Sequence, residues 1–161
     1  MGQPHVSQSN TLFSMLCRAE ITADSPAGTL WTLLTDAAGY PAWNSTIIAI
    51  DGRIRDGERI RIHVPGTDRT FAPKVSNVIP ERQMVWTGGM SPLFLGVRTF
   101  TLTPQPDRTT LFVMEERFSG LMLPLVRGAM PDMRLVFARF AADLDQAAHL
   151  RDLRLKGVAT F

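Results

Sequence analysis

The chain has a single cysteine, Cys17, among 161 residues, which excludes an intramolecular disulfide and any thiolate cluster for a metal. Its three histidines, His5, His63 and His149, include no two at metal-ligand spacing, and no Cys-His or Ser-His arrangement can be placed together. Neither a metal nor a cofactor is expected. No uninterrupted apolar run approaches the roughly 20 residues a membrane span needs, and the N-terminus lacks the basic start and apolar core of a signal peptide. The cytoplasm is the expected location. Charge of one sign is scarce too: 17 basic against 15 acidic residues leave +2. The basic residues are scattered, so a pI near 9.2 implies no nucleic-acid partner.

What the chain does have is apolar substance, 45% of its residues, enough for one domain with a real core. Residues 1–10 are polar and expected to be flexible, 11–156 to form the domain, and 157–161 a tail. Towards the C-terminus, Leu125, Ala129, Met133, Val136, Phe137, Phe140, Ala141, Leu144, Ala147 and Ala148 recur at steps of three and four, the stripe of an amphipathic helix. Arg134, Arg139, Asp143, Asp145 and Arg151 are read as its solvated face. Pro131, after Gly128, implies either a short turn at 123–129 before the main helix or a kink.

Before that helix the pattern is strand-like. Residues 11–21 alternate as a strand, Asp24 or Ser25 before Pro26 signals a capped helix start, and 37–44 suits a short helix or tight loop. Further strands are expected at 45–54, 59–64, 69–79, 83–87, 97–103 and 109–118, separated by Asp56-Gly57, Pro65-Gly66, Pro80, Gly88-Gly89 and Pro104 to Asp107. Strands in succession, with helices segregated from them, predict an α+β fold. About seven antiparallel strands would curl round the terminal helix.

Alternation also assigns faces. Thr110, Phe112, Met114, Glu116 and Phe118 share an inward face, as do Arg98, Phe100 and Leu102 on the preceding strand. A register opposing Phe100 to Met114 and Leu102 to Phe112 brings Arg98 opposite Glu116, an internal ion pair. Such a pair can be a structural bridge between strands. It can also be the polar end of an apolar pocket, with Arg98 orienting a carbonyl, hydroxyl or carboxylate and Glu116 holding the guanidinium. Glu116 as general acid or base is a third role, in which burial and Arg98 shift its acidity in opposite directions.

Other residues read as structural. His63 alternates outward from Ile60, Ile62 and Val64; Cys17 suits a small core position; Asp51, Asp56 and Asp68 lie near turns. Trp86 is expected inside, as core packing or as a surface for a planar ligand.

Leu30-Trp31 with Leu34-Thr35-Asp36, Tyr40-Pro41-x-Trp43-Asn44, Phe71-x-Pro73-x-Val75, Trp86-x-Gly88, Gly96-x-Arg98-x-Phe100-x-Leu102 and Glu116-x-Phe118-x-Gly120 resemble the START-like SRPBCC superfamily, in its polyketide cyclase/dehydrase-like branch. Related sequences often carry histidine where Arg98 stands. The resemblance implies a helix-grip fold: a curved seven-stranded antiparallel sheet round a long C-terminal helix, with two short helices after the first strand. It further implies a hydrophobic or amphipathic small-molecule ligand, lipid-, polyketide- or aromatic-like, held between sheet and helix. Expected ligand-binding residues are Arg98, Glu116, Trp86, Phe100, Phe112, Met114, Met133, Phe137 and Phe71. A cyclase or dehydratase using Arg98 and Glu116 is the alternative, and a co-chaperone-like interaction module a further one. A monomer or weak homodimer is expected, with Met122, Met130 and Met133 adapting to ligand shape as a movable lip.

Overall fold

The computed structural model describes residues 2–157. Its order is β1 (His5–Asn10), β2 (Ser14–Ala23), α1 (Ala27–Thr35), α2 (Tyr40–Trp43), β3 (Ala49–Asp51), β4 (Arg61–His63), β5 (Thr70–Phe71), β6 (Lys74–Ile79), β7 (Gln83–Met90), β8 (Phe94–Pro104), β9 (Thr110–Ser119), α3 (Leu123–Val126) and α4 (Met133–Leu155). Short 3₁₀ turns precede α2 and follow α3. The fold is α+β, with an antiparallel sheet and a long C-terminal helix as expected. The strands, however, number nine in two sheets: six in the order β1-β2-β9-β8-β7-β6, and three in the order β3-β4-β5.

Several boundaries differ from the sequence reading for identifiable reasons. Residues 5–10, expected to be flexible, pair with β2 from His5↔Glu20 to Asn10↔Met15. Backbone groups make that ladder, so polar side chains on an edge strand are no obstacle. Residues 11–13 turn instead of extending, closed by the Thr11 N–H donating to the Ser14 carbonyl at 2.7 Å. The expected strand 69–79 is divided between the two sheets at Pro73, which has no N–H for a ladder. Conversely Gly88 and Gly89, read as a loop, lie inside β7. No side chain caps α1, whose N-cap is Pro26. Of the 157–161 tail, only Gly157 falls among the described residues.

At the C-terminal end, α3 and its 3₁₀ turn come first. Pro131 then precedes Asp132, whose carboxylate caps α4 by accepting the Arg134 N–H at 3.1 Å. Leu125 and Ala129 thereby fall outside the stripe and are exposed. Met133, Phe137, Phe140, Ala141, Leu144 and Ala148 are buried, and α4 packs chiefly on β2 and α1. Cys17, Ala19 and Ala23 on β2, with Ala141 and Ala148 on α4, are small and fully buried, which lets helix and sheet approach closely. Asp145, assigned to the solvated face, is only 2% exposed because α1 and its lead-in cover that side of α4. Burial raises its carboxyl above the usual range, with the Asp24 N–H and His149 opposing.

Candidate functional site

The register across the sheet brings a charged row onto a largely apolar inner face. Cys17 pairs with Glu116, Glu116 with Arg98, Arg98 with Trp86, and Trp86 with Val75. The next row inward is Ala19, Met114, Phe100 and Met84, all fully buried. The pairings Phe100↔Met114 and Leu102↔Phe112 are those anticipated from alternation.

Arg98 and Glu116 meet as an ion pair. Glu116 Oε2 accepts from Arg98 Nε at 3.0 Å and from Nη2 at 2.7 Å, with the side chains 15% and 12% exposed. Because both bonds end on Oε2, the bidentate two-oxygen fork is not made, and Oε1 and Nη1 take no hydrogen bond within the described residues. Gly96 faces this carboxylate; a Cβ there would stand 3.2 Å from Glu116 Oε1 and 3.5 Å from the Phe118 ring. The guanidinium carbon also lies 5.2 Å from the centroid of the Phe137 ring, a cation–π contact delivered by α4. Cys17, below the pair, is fully buried. Desolvation pushes its thiol up to about 11, the Glu116 charge adding to the rise and Arg98 opposing it.

Beside the ion pair is an aromatic cluster. Trp86 stands edge-on to Phe100 at 4.7 Å between centroids, and Tyr40 bridges Trp43 at 4.8 Å and Trp86 at 6.4 Å. Phe140 from α4 lies 5.7 Å from Trp43, 5.9 Å from Phe100 and 6.3 Å from Phe112. Tyr40, in the segment expected as a short helix or tight loop, is fully buried and donates its hydroxyl to the Leu34 carbonyl at 2.9 Å. Its burial drives the phenol well above its ordinary range. The available signal was Pro41, which suits the first turn of a short helix beginning at Tyr40. The indole N–H groups of Trp86 and Trp43 are both buried in this cluster and find no acceptor among the described residues. A buried donor without a partner is costly and uncommon.

The sequence-predicted set is therefore gathered for the most part. Arg98, Glu116, Trp86, Phe100, Phe112, Met114, Met133 and Phe137 belong to the inner face of the sheet or to the face of α4 that covers it. Phe71 is the exception: it sits on β5 in the small sheet, paired with Ile62, and is 54% exposed. Alternation on a two-residue strand carried no information about which sheet it joins. These side chains are buried between sheet and helix. Two open surface clefts lie elsewhere, one lined by Asp56, Lys74, Asn77 and Gln83 and the other by Asp51, His63, Thr67 and Asp68. On the second of these, His63 Nε2 donates to the Asp51 carboxylate at 2.7 Å. No group of three or more metal-ligating side chains occurs among the described residues, and no helix there is long and apolar enough to cross a membrane.

Residues 16–154 match the model of a family described as polyketide cyclase / dehydrase and lipid transport. The Zhui aromatase/cyclase from Streptomyces sp. R1128 superposes with a TM-score of 0.66 at 17% identity, over 92% of this chain and 99% of that one. A START superfamily protein from Mycobacterium smegmatis gives 0.57 at 19%, over 81% and 97%. DynU16, from the dynemicin biosynthetic locus, gives 0.65 at 18%, over 83% of this chain but 47% of that one, so the chain spans about half its length. These likenesses establish the fold, and no curated protein matches the chain.

Proposed function

The chain belongs to the polyketide cyclase / dehydrase and lipid transport family, and from that premise we propose that it binds a hydrophobic or amphipathic small molecule between the sheet and α4. The observation that carries this reading is a set of uncommitted donors beside the aromatic cluster: the buried Trp86 and Trp43 indole N–H groups, and Nη1 of the partly exposed Arg98. All three are donors. A flat or chain-like apolar body carrying a carbonyl, hydroxyl or carboxylate offers an acceptor to such donors, while Glu116 holds the guanidinium in place.

Catalysis is less well served. A cyclase or dehydratase needs a poised acid or base, and the Glu116 oxygen Oε2 is committed to Arg98 twice. A ligand entering between sheet and α4 meets the buried side chains of the core, and the segment from Leu121 to Met133 is the element suited to give way. Its methionines adapt to varied shapes. A cytoplasmic location and a monomer or weak dimer complete this reading.

Native mass spectrometry of the freshly purified protein, followed by denaturation, tests it. A small molecule lost on unfolding, or stoichiometric uptake of a flat apolar dye, is the expected result. A protein that carries no adduct and takes up no dye would instead favour an interaction module, a reading supported by the closed interior and the exposed apolar side chains at one end.

A further inference from the structure

Of the thirteen exposed large apolar side chains among the described residues, seven come from three segments that meet in space. Leu12 and Phe13 in the β1–β2 turn, Met90 and Leu93 in the β7–β8 hairpin, and Leu121, Met122 and Leu125 after β9 are all exposed, Leu125 to 80% and Met90 to 68%. The backbone ties these three segments together. Gly120 N–H donates to the Phe13 carbonyl at 3.1 Å, Leu121 N–H to Pro92 at 3.0 Å and Met122 N–H to Leu93 at 2.9 Å. Arg127 Nη2 adds a bond of 2.6 Å to the Thr11 carbonyl. The result is one apolar end of the molecule, held in place by hydrogen bonds between loops.

Its charge is equally particular. Residues 11–14, 88–96 and 117–134 include Arg117, Arg127 and Arg134 but a single acid, Asp132, which contacts Arg134 at 3.3 Å. The positive excess at this end equals the +2 of the whole chain, so the remainder is balanced. Leucine, methionine and phenylalanine on loop tips, flanked by arginine and without an unpaired carboxylate, suit the headgroup zone of an anionic bilayer. We propose that this end docks on an anionic lipid surface. Self-association through the same end would bring two positive excesses together, whereas a negatively charged surface is complementary to each. If the ligand reading above holds, docking sets the Leu121–Met133 lip against the lipid; docking itself does not depend on that reading.

Flotation of the full chain with vesicles tests this, using phosphatidylcholine alone and phosphatidylcholine with about a quarter phosphatidylglycerol, at low and high salt. The wild type is expected to float with the anionic vesicles, less at high salt. Leu121→Asp with Leu125→Asp is expected to reduce flotation at least about tenfold, since it removes insertion and adds negative charge. Ile48→Asp, an exposed apolar residue away from this end, is the control and is expected to float like the wild type. Far-UV circular dichroism verifies that each variant is folded. No flotation of the wild type, or flotation that the double variant leaves unchanged, overturns the proposal. A dimer that the double variant splits, without vesicle binding, overturns it in favour of a second copy. Dye uptake measured without vesicles reports on the interior alone, so failure of one reading is distinguishable from failure of the other.

Discussion

Glu116→Ala removes the carboxylate that holds Arg98, and the structure sets the size of the loss. The Arg98 side chain is 15% exposed, and its guanidinium makes both carboxylate bonds to one oxygen of Glu116 and sits against the Phe137 ring. Truncation therefore leaves a positive charge largely out of water with only a cation–π contact, worth roughly 0.5–2 kcal/mol, in compensation. Breaking a buried pair from one side costs about 3–5 kcal/mol. Partial exposure and the retained ring contact place the expected loss at the lower limit, on the order of 3 kcal/mol. Urea unfolding followed by far-UV circular dichroism measures it, as a fall in midpoint at constant slope. The companion double variant, Arg98→Met with Glu116→Leu, removes both charges and keeps apolar volume. It should be close to wild type or more stable, because neither desolvation penalty remains. A Glu116→Ala loss below about 1 kcal/mol would refute the reasoning, since the pair would then behave as an exposed one. A double variant as damaged as the single would refute it by the opposite route, assigning the loss to packing rather than to the stranded charge.

Three further outcomes follow from the same geometry. Trp86→Ala should weaken uptake of a flat apolar dye more than Trp43→Ala, because Trp86 is the indole next to Arg98 in register; equal losses in a fluorescence titration would count against that lining. Asp145 has its pKa raised by burial, so its ionisation opposes folding. The contribution is absent below the unfolded value, grows as pH rises towards the folded one, and is complete above it. Asp145→Asn should accordingly stabilise at pH 7 and lose that advantage towards acid, as read by melting temperature across pH; a variant equally stable or weaker at pH 7 would reject this. Gly120 has φ +134°, and a Cβ there would run into the Leu93 carbonyl, so Gly120→Ala should cost about 1–3 kcal/mol and loosen the clasp between β9 and the β7–β8 hairpin. Unchanged unfolding and unchanged amide exchange at Met122 would show that the clasp tolerates it.

Period-two alternation and the turn residues carried the inner faces of β8 and β9, and with them the approach of Arg98 to Glu116. Both are local properties: which side of a strand a residue faces depends on its parity, and adjacent hairpin strands have few alternative registers. The 3.6-residue stripe likewise located α4, and the spaced motifs located the fold. Pairing partners of distant segments were not local. The polar segment from His5 to Asn10 became a strand only because β2 offered an unpaired edge, and Pro73 divided an apparently continuous strand between two sheets. Burial of Asp145 depends on α1 packing over it, and burial of Tyr40 on α2 meeting α4, neither of which periodicity encodes. The apolar end is the clearest case. Its leucines and methionines come from three loops far apart in sequence, each unremarkable alone, and only backbone hydrogen bonds between those loops assemble them on one surface.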